Sequence, residues 1–245
     1  MAPCAFMRYI YGPLKSRRLG NSLGVSLSLE KICNFDCIYC QLGPTKLKSV
    51  KRKEYLKVED IITELKDWIK SNPEDLKKLD YITFSGCGEP TLNIRIAQLI
   101  SEIKRITVVP VAVITNASLL GNAGVRQELK EADLIVPSLD AVTQSAFVKI
   151  DRPDSDIGIE GIIAGLIDLR KEFKGKIWLE IMLVAGVNDD LSEISKLKEA
   201  ADRINPDKIQ LNSPVRATAE ENVSPVPREK LEKIKEILGD RAEII

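Results

Sequence analysis

Histidine is absent from all 245 residues, and its absence removes most of the common catalytic kits. Ser-His-Asp and Cys-His nucleophile pairs, His-ligated zinc or non-haem iron, a proximal-His haem and an imidazole proton shuttle all need the missing side chain. Net charge is absent as well, with 36 basic residues against 36 acidic ones. No whole-molecule field therefore draws the protein to nucleic acid or to an anionic membrane, and any such binding needs a local patch. No apolar run approaches the ~20 residues of a membrane span. The stretch up to Gly20 carries its basic cluster after its apolar part, the reverse of a secretory signal. The expectation is a cytoplasmic protein with no membrane partner.

What is present is a globular composition, 44% hydrophobic and 29% charged. Short β-branched runs alternate with longer segments of helical spacing. Strands are expected at 23–29, 79–84, 111–115, 133–139, 177–184 and 208–212. One helix gathers Val58, Ile61, Ile62, Leu65, Trp68 and Ile69 on one face, and another gathers Leu191, Ile194, Leu197, Ala201 and Ile204. Pro227 opens a last helix. Six such units predict an α/β fold with a parallel sheet, doubly wound or curved into an open, partial (β/α)6 barrel, with chemistry at the C-terminal strand ends. Residues 1–22 read as a lead-in arm and 23–245 as one domain. The closing 242–245 stretch reads as a short edge strand or as a truncated extension.

Five cysteines, an odd number with three packed between Cys33 and Cys40, do not make a disulfide framework. They point to a metal or catalytic use in a reducing compartment. Cys33-Asn-Phe-Asp-Cys37-Ile-Tyr-Cys40 spaces three thiols on the loop after the first expected strand. One loop can wrap three thiolates around one face of a 4Fe-4S cubane, which asks for four ligands. An iron left without a protein ligand is an open coordination site, by the logic that separates catalytic from structural metals. A zinc knob using Cys33, Cys37, Cys40 and Cys87, or an electron-transfer cluster completed by Cys87 or Cys4, uses the same residues.

This spacing, with Tyr39 just before the last cysteine, resembles the signature of the radical S-adenosylmethionine (radical SAM) superfamily. The resemblance implies a 4Fe-4S cluster on Cys33, Cys37 and Cys40 whose fourth iron chelates the methionine moiety of SAM. It also implies reductive cleavage to a 5'-deoxyadenosyl radical that abstracts hydrogen from substrate, with electrons from a reductant such as ferredoxin or flavodoxin. Ser85-Gly-Cys-Gly-Glu-Pro90 resembles the family's GGEP motif, which holds the cofactor's amino group, so Gly86, Gly88 and Glu89 are expected at the cofactor. Cys87 departs from that motif. A dinucleotide fingerprint at Gly86 fails, because its third glycine is Thr91.

The resemblance runs down the chain to about Arg216. Ser138 and Asp140 stand where ribose contacts are usual, Val184–Asn188 where the adenine is lined, and Asn116 and Asn212 at polar strand ends that meet the cofactor. Arg152 and Arg216 are candidates for a carboxylate fork. Tyr11 to Gly20 together with the cysteine loop also resembles iron-sulfur oxidoreductases classed near the wyosine-type tRNA synthases. That implies an RNA substrate, which Lys46, Lys48, Lys51, Arg52 and Lys53 would grip through phosphates. Those synthases carry a second three-cysteine cluster, and Cys4 and Cys87 do not make one. A radical enzyme on an unidentified substrate is therefore the leading reading. A wyosine-type tRNA modifier, an activase that puts a radical on a protein partner, and a non-catalytic iron-sulfur module are the alternatives.

Overall fold

Apolar side chains at 3.6-residue spacing build the outer layer. The computed structural model describes residues 9–245, and its helices are numbered here in chain order. The helix α1 (Val58–Ser71) buries Val58, Ile61, Ile62 and Leu65. After the short α2 (Pro73–Leu76), α3 (Ile96–Ile106) buries Ile96, Leu99, Ile100 and Ile103, each contributing roughly 1.5 to 3 kcal/mol relative to exposure. Two short helices, α4 (Ala123–Glu128) and α5 (Gln144–Ile150), start on side-chain caps from Asn122 and Thr143. The layer is completed by α6 (Ile159–Glu172), α7 (Leu191–Ile204), capped by Asp190, and α8 (Arg228–Leu238). No helix among the described residues is long and apolar enough to cross a membrane.

The inner layer is an eight-stranded sheet in strict chain order: β1 (Ile10–Ser16), β2 (Gly20–Val25), β3 (Tyr81–Phe84), β4 (Val111–Thr115), β5 (Leu134–Pro137), β6 (Lys176–Met182), β7 (Lys208–Asn212) and β8 (Ala242–Ile244). Only β1 pairs antiparallel, with β2; every later pair is parallel. A doubly wound sheet reverses its strand order at a switch point, and this one never reverses. Its helices therefore lie on one face and the sheet curls around the other. Alternation along a strand separates the faces: Val111 and Val113 pack under the helices, while Ala112 joins Leu19, Leu134 and Val136 inside. The sheet does not close, so the expected open barrel is present as six parallel strands, β2–β7, with β1 and β8 added at its edges.

Several strand ends differ from the sequence pattern by a residue or two, and two differences are larger. The segment read as an arm contributes β1, because Gly12-Pro13 sits where the ladder shifts register between Tyr11 and Leu14, a pattern that reads as a turn in isolation. The strand expected to run to Leu29 leaves the sheet after Val25. There Ser26 Oγ donates to Ser28 O (2.7 Å) and Ser28 Oγ to Cys87 O (3.0 Å), and these bonds replace the ladder. The β1–β2 tip turns into the barrel: Ser16 Oγ accepts from Arg18 N and Leu19 N (3.2 and 3.3 Å), and Leu19 is buried among the inward residues of β4 and β5.

Candidate active site

The three clustered cysteines sit on the loop that follows β2, at the C-terminal end of the parallel strands. This loop is held by main-chain bonds to the end of α5: Asp36 N donates to Asp151 O and Ile38 N to Ile150 O, both at 3.0 Å. Phe35 packs edge-on against Phe147, centroids 5.4 Å apart, and Thr45 Oγ1 closes on Phe35 O at 2.8 Å. Asn34, fully buried, donates to Ser118 Oγ (2.8 Å) and accepts from Asn116 Nδ2 (2.8 Å). All three thiols are half-buried and free. Burial pushes the Cys33 thiol up to about 12 and the Cys37 thiol well above its ordinary value, and the sulfurs act on one another electrostatically. A positive metal centre reverses that preference, since the ligand is the thiolate. Among the described residues no three His, Cys, Asp or Glu side chains converge on a single ion position. A cubane, in which each thiolate takes a different iron, does not require them to, so the donor set fits the cluster.

The turn after β3 packs directly under this loop. Gly86 and Gly88 hold φ of 108° and 135°, conformations that suit glycine. A Cβ on Gly88 would run into the main chain of Ile32, one residue before Cys33. Gly88→Ala is therefore expected to cost about 3 kcal/mol or more from strain and overlap, seen as a fall in thermal midpoint together with poor iron loading. A variant matching the parent in both would show that the turn does not press on the loop.

Glu89 is buried and fully engaged by the protein. Its Oε1 accepts from Thr91 N (3.0 Å), Thr91 Oγ1 (2.6 Å) and Thr115 Oγ1 (2.6 Å), and its Oε2 from Asn116 N (2.7 Å). The carboxylate thus staples the β3 turn to the end of β4. Burial raises its pKa against the pull of these donors.

Tyr39, Asn116, Ser138 and Asp140 line one cleft, together with Phe35 and Asp151. Tyr39 donates to the Asp140 carboxylate, whose other oxygen accepts from Met182 N (2.8 Å). Asp151 lies 3.4 Å from the same hydroxyl. Burial drives up the pKa of all three: well up for Tyr39 and Asp140, and to about 6 for Asp151. The Asn116 amide also reaches Cys33 Sγ at 3.7 Å. Strand ends far apart in sequence and the cysteine loop thus share one cleft.

Other expected residues are placed elsewhere. Arg152 points to Glu220 (2.6 Å) and lies 3.9 Å from Asp36, so acidic neighbours occupy the fork assigned to a cofactor carboxylate. Arg216 donates to Gln41 Oε1 (2.9 Å). Asn188 is a structural staple, bonding Val184 N, Asp140 O and Met182 O. In the basic run, Arg52 is paired with Glu128 and bonded to Thr91 O, and Lys48 Nζ donates to Arg152 O and Pro153 O. Asn212 is inside the barrel, donating to Glu180 Oε1 (2.7 Å) and accepting from Arg17 (2.9 Å). The sequence pattern did not single out Glu180, Arg18 or Asp151. The visible signal for Glu180 was a lone carboxylate in an otherwise apolar strand. Cys4 lies outside the described residues.

Comparisons with known proteins bear on the family and the fold. The family model of the radical SAM superfamily matches residues 28–197. A UPF0026 protein of Methanocaldococcus jannaschii is 37% identical over 240 residues, covering 98% of this chain and 73% of its own length. A Brachyspira hyodysenteriae protein named GTPase Obg is 42% identical over 226 residues, and this chain spans 33% of its length. The crystal structure of a radical SAM methyltransferase from Sphaerobacter thermophilus shares the fold, with a TM-score of 0.68 at 17% identity over 92% of this chain and 66% of that one.

Proposed function

Because the chain belongs to the radical SAM superfamily, whose enzymes use a 4Fe-4S cluster, SAM and an external reductant, we propose that Cys33, Cys37 and Cys40 are its cluster ligands and that the adjoining cleft takes the cofactor. When bound, the pair supplies a 5'-deoxyadenosyl radical able to abstract hydrogen from a substrate. The observation that carries the reading is the junction of the half-buried thiol loop with the cleft of Tyr39, Asn116, Ser138 and Asp140.

The chain's own residues supply position and dryness. Phe35 and Asn34 fix the thiol loop, and the Tyr39–Asp140 bond holds the cleft wall. Asn116 joins the wall to Cys33, and Glu89 keeps the glycine turn pressed beneath, leaving that turn's main chain to meet an amino group. Ser138 and Asp140 are the groups placed to meet hydroxyls. The reductant is a ferredoxin- or flavodoxin-like donor. Anaerobic reconstitution with iron and sulfide, followed by dithionite and SAM, tests the reading. Release of 5'-deoxyadenosine is expected, and a fully loaded cluster that leaves SAM intact would overturn it.

An RNA substrate is disfavoured by the pairing of Arg52 and Lys48, which leaves Lys46, Lys51 and Lys53 as the exposed remainder of the basic run. Transfer RNA is expected to bind no tighter than nonspecific RNA, roughly micromolar or weaker at physiological salt, with a shallow log-log salt slope of about −0.7 per phosphate contact. Submicromolar, tRNA-selective binding that collapses in a Lys51→Ala, Lys53→Ala variant would reverse this.

A further inference from the structure

The β1–β2 tip carries guanidinium groups that cluster and cofactor binding do not use. Arg17 and Arg18 stand at the β1–β2 tip, and the tip is built to hold them. Ser16 Oγ caps it, Gln210 Nε2 donates to Arg18 O at 3.1 Å, and Leu19 anchors it in the interior cluster. Arg18 donates to Glu180 Oε2 (2.7 Å), with its own side chain about a third exposed (31%) and that of Glu180 at 4%. Arg17 donates to Asn212 Oδ1 (2.9 Å) and to the main-chain oxygen of Ile245 (3.0 Å), so it spans from one edge of the open sheet to the other. Arg18 also acts electrostatically on Tyr11 and Tyr39, and Tyr39 lines the cleft.

The local charges do not cancel. Among the described residues Glu180 is the one acidic side chain bonded to Arg17 or Arg18. The nearby Glu243 is paired with Lys208 (3.1 Å), and Asp140 is engaged by Tyr39 and Met182 N. Arg216 adds a third guanidinium, bonded to an amide. Burial and repulsion from Arg18 and Arg216 lower the pKa of Arg17. Arg17, exposed and spending its donors on an amide and a main-chain oxygen, is placed for exchange with a stronger acceptor, such as an incoming carboxylate or phosphate.

We propose that Arg17 and Arg18 form the substrate-anchoring subsite of the barrel and that the substrate is a small molecule carrying a carboxylate or phosphate. Glu180 and Asn212 orient the two arginines, and the anion fixes one end of the substrate while its reacting carbon faces the cleft. This assignment rests on the radical SAM reading for its role in catalysis but not for the binding itself.

The test uses the full chain without cluster or SAM. The arginine Nε–Hε signals are followed by NMR during titration with inorganic phosphate and, separately, with malonate. Arg17 and Arg18 are expected to shift together along one saturable millimolar curve, while Arg105 and Arg228, on exposed faces of α3 and α8, do not. The tighter of the two probes identifies the substrate's charged group as phosphate or carboxylate. Arg17→Gln, at an exposed position that folds readily, is expected to weaken the tighter probe about tenfold, as loss of one charge-assisted bond implies. Arg18→Lys, which keeps a cation beside Glu180 but loses the fork, should weaken it similarly. The proposal fails if neither probe moves Arg17 and Arg18 beyond the two control arginines, or if Arg17→Gln binds both probes as the parent does. Failure of the wild-type chain to release 5'-deoxyadenosine after reconstitution would instead count against the radical SAM reading, independently of the titration.

Discussion

Alanine in place of any one of Cys33, Cys37 and Cys40 will abolish the cluster and reduce 5'-deoxyadenosine release to background, whereas a Cys4→Ala, Cys87→Ala double variant will keep about four irons per chain. With the three proposed thiolates as the cubane's protein ligands, losing one leaves two irons without a protein ligand and the cluster labile. Folding should survive each single change. The loop is held by Asp36, Ile38, Thr45 and Asn34 through main-chain and side-chain bonds, against which the sulfur contacts are few: Cys33 Sγ accepts from Phe35 N at 3.4 Å and from the Asn116 amide at 3.7 Å, and the Cys37 thiol bonds the Asp151 carboxylate. Iron and sulfide analysis beside far-ultraviolet circular dichroism checks both halves of the expectation. Full iron in a Cys40→Ala variant, or its loss in the double variant, would assign the ligands differently.

The three thiols stand out in the sequence for a simple reason: eight residues hold the whole proposed ligand set, so spacing alone carries the reading. The glycine turn was legible for the same reason, and the inner strands because a β-branched run such as 111–115 has no other use. What could not be read are contacts made by topology. Arg18 meets Glu180 across 162 residues and Arg17 meets Asn212 across 195, and neither pair exists until a sheet curls in one direction and a hairpin tip folds into it. Arg152 shows the opposite failure. In the sequence it reads as a fork for a cofactor carboxylate; its carbonyl accepts from Asp36 N at 3.2 Å, and Glu220, 68 residues away, takes the guanidinium. Polar residues interrupting apolar strands, Glu180 in β6 and Gln210 in β7, were the remaining signal. In a strand facing helices on one side, such residues must look into the barrel.

Glu89→Gln will lower the thermal midpoint of the chain before any cofactor is added, by roughly 6 to 12 °C for about 3 kcal/mol. The carboxylate accepts four bonds and donates none, three on one oxygen and one on the other. An amide has one acceptor, so its best orientation keeps Thr91 and Thr115 and turns its own N–H groups against Asn116 N. One charge-assisted bond is lost, two donors are left facing each other without water, and the remaining bonds lose their ionic share. Relief of carboxylate desolvation works in the other direction, and burial is the largest influence on this group. Donor mismatch in a site with no room for water outweighs it at neutral pH. The pH dependence follows from the same balance. With its pKa raised on folding, Glu89 holds a proton more tightly in the native state, so its contribution is complete below the ordinary carboxylate pKa and declines as pH climbs through the raised one. Glutamine has no such slope, so the gap between parent and variant should be widest in acid and narrow towards neutrality. Differential scanning calorimetry of both proteins without SAM across that range measures it. If the midpoints coincide while SAM affinity drops ten- to hundredfold, the carboxylate faces the cofactor's amino group directly, and the staple between β3 and β4 is not its role.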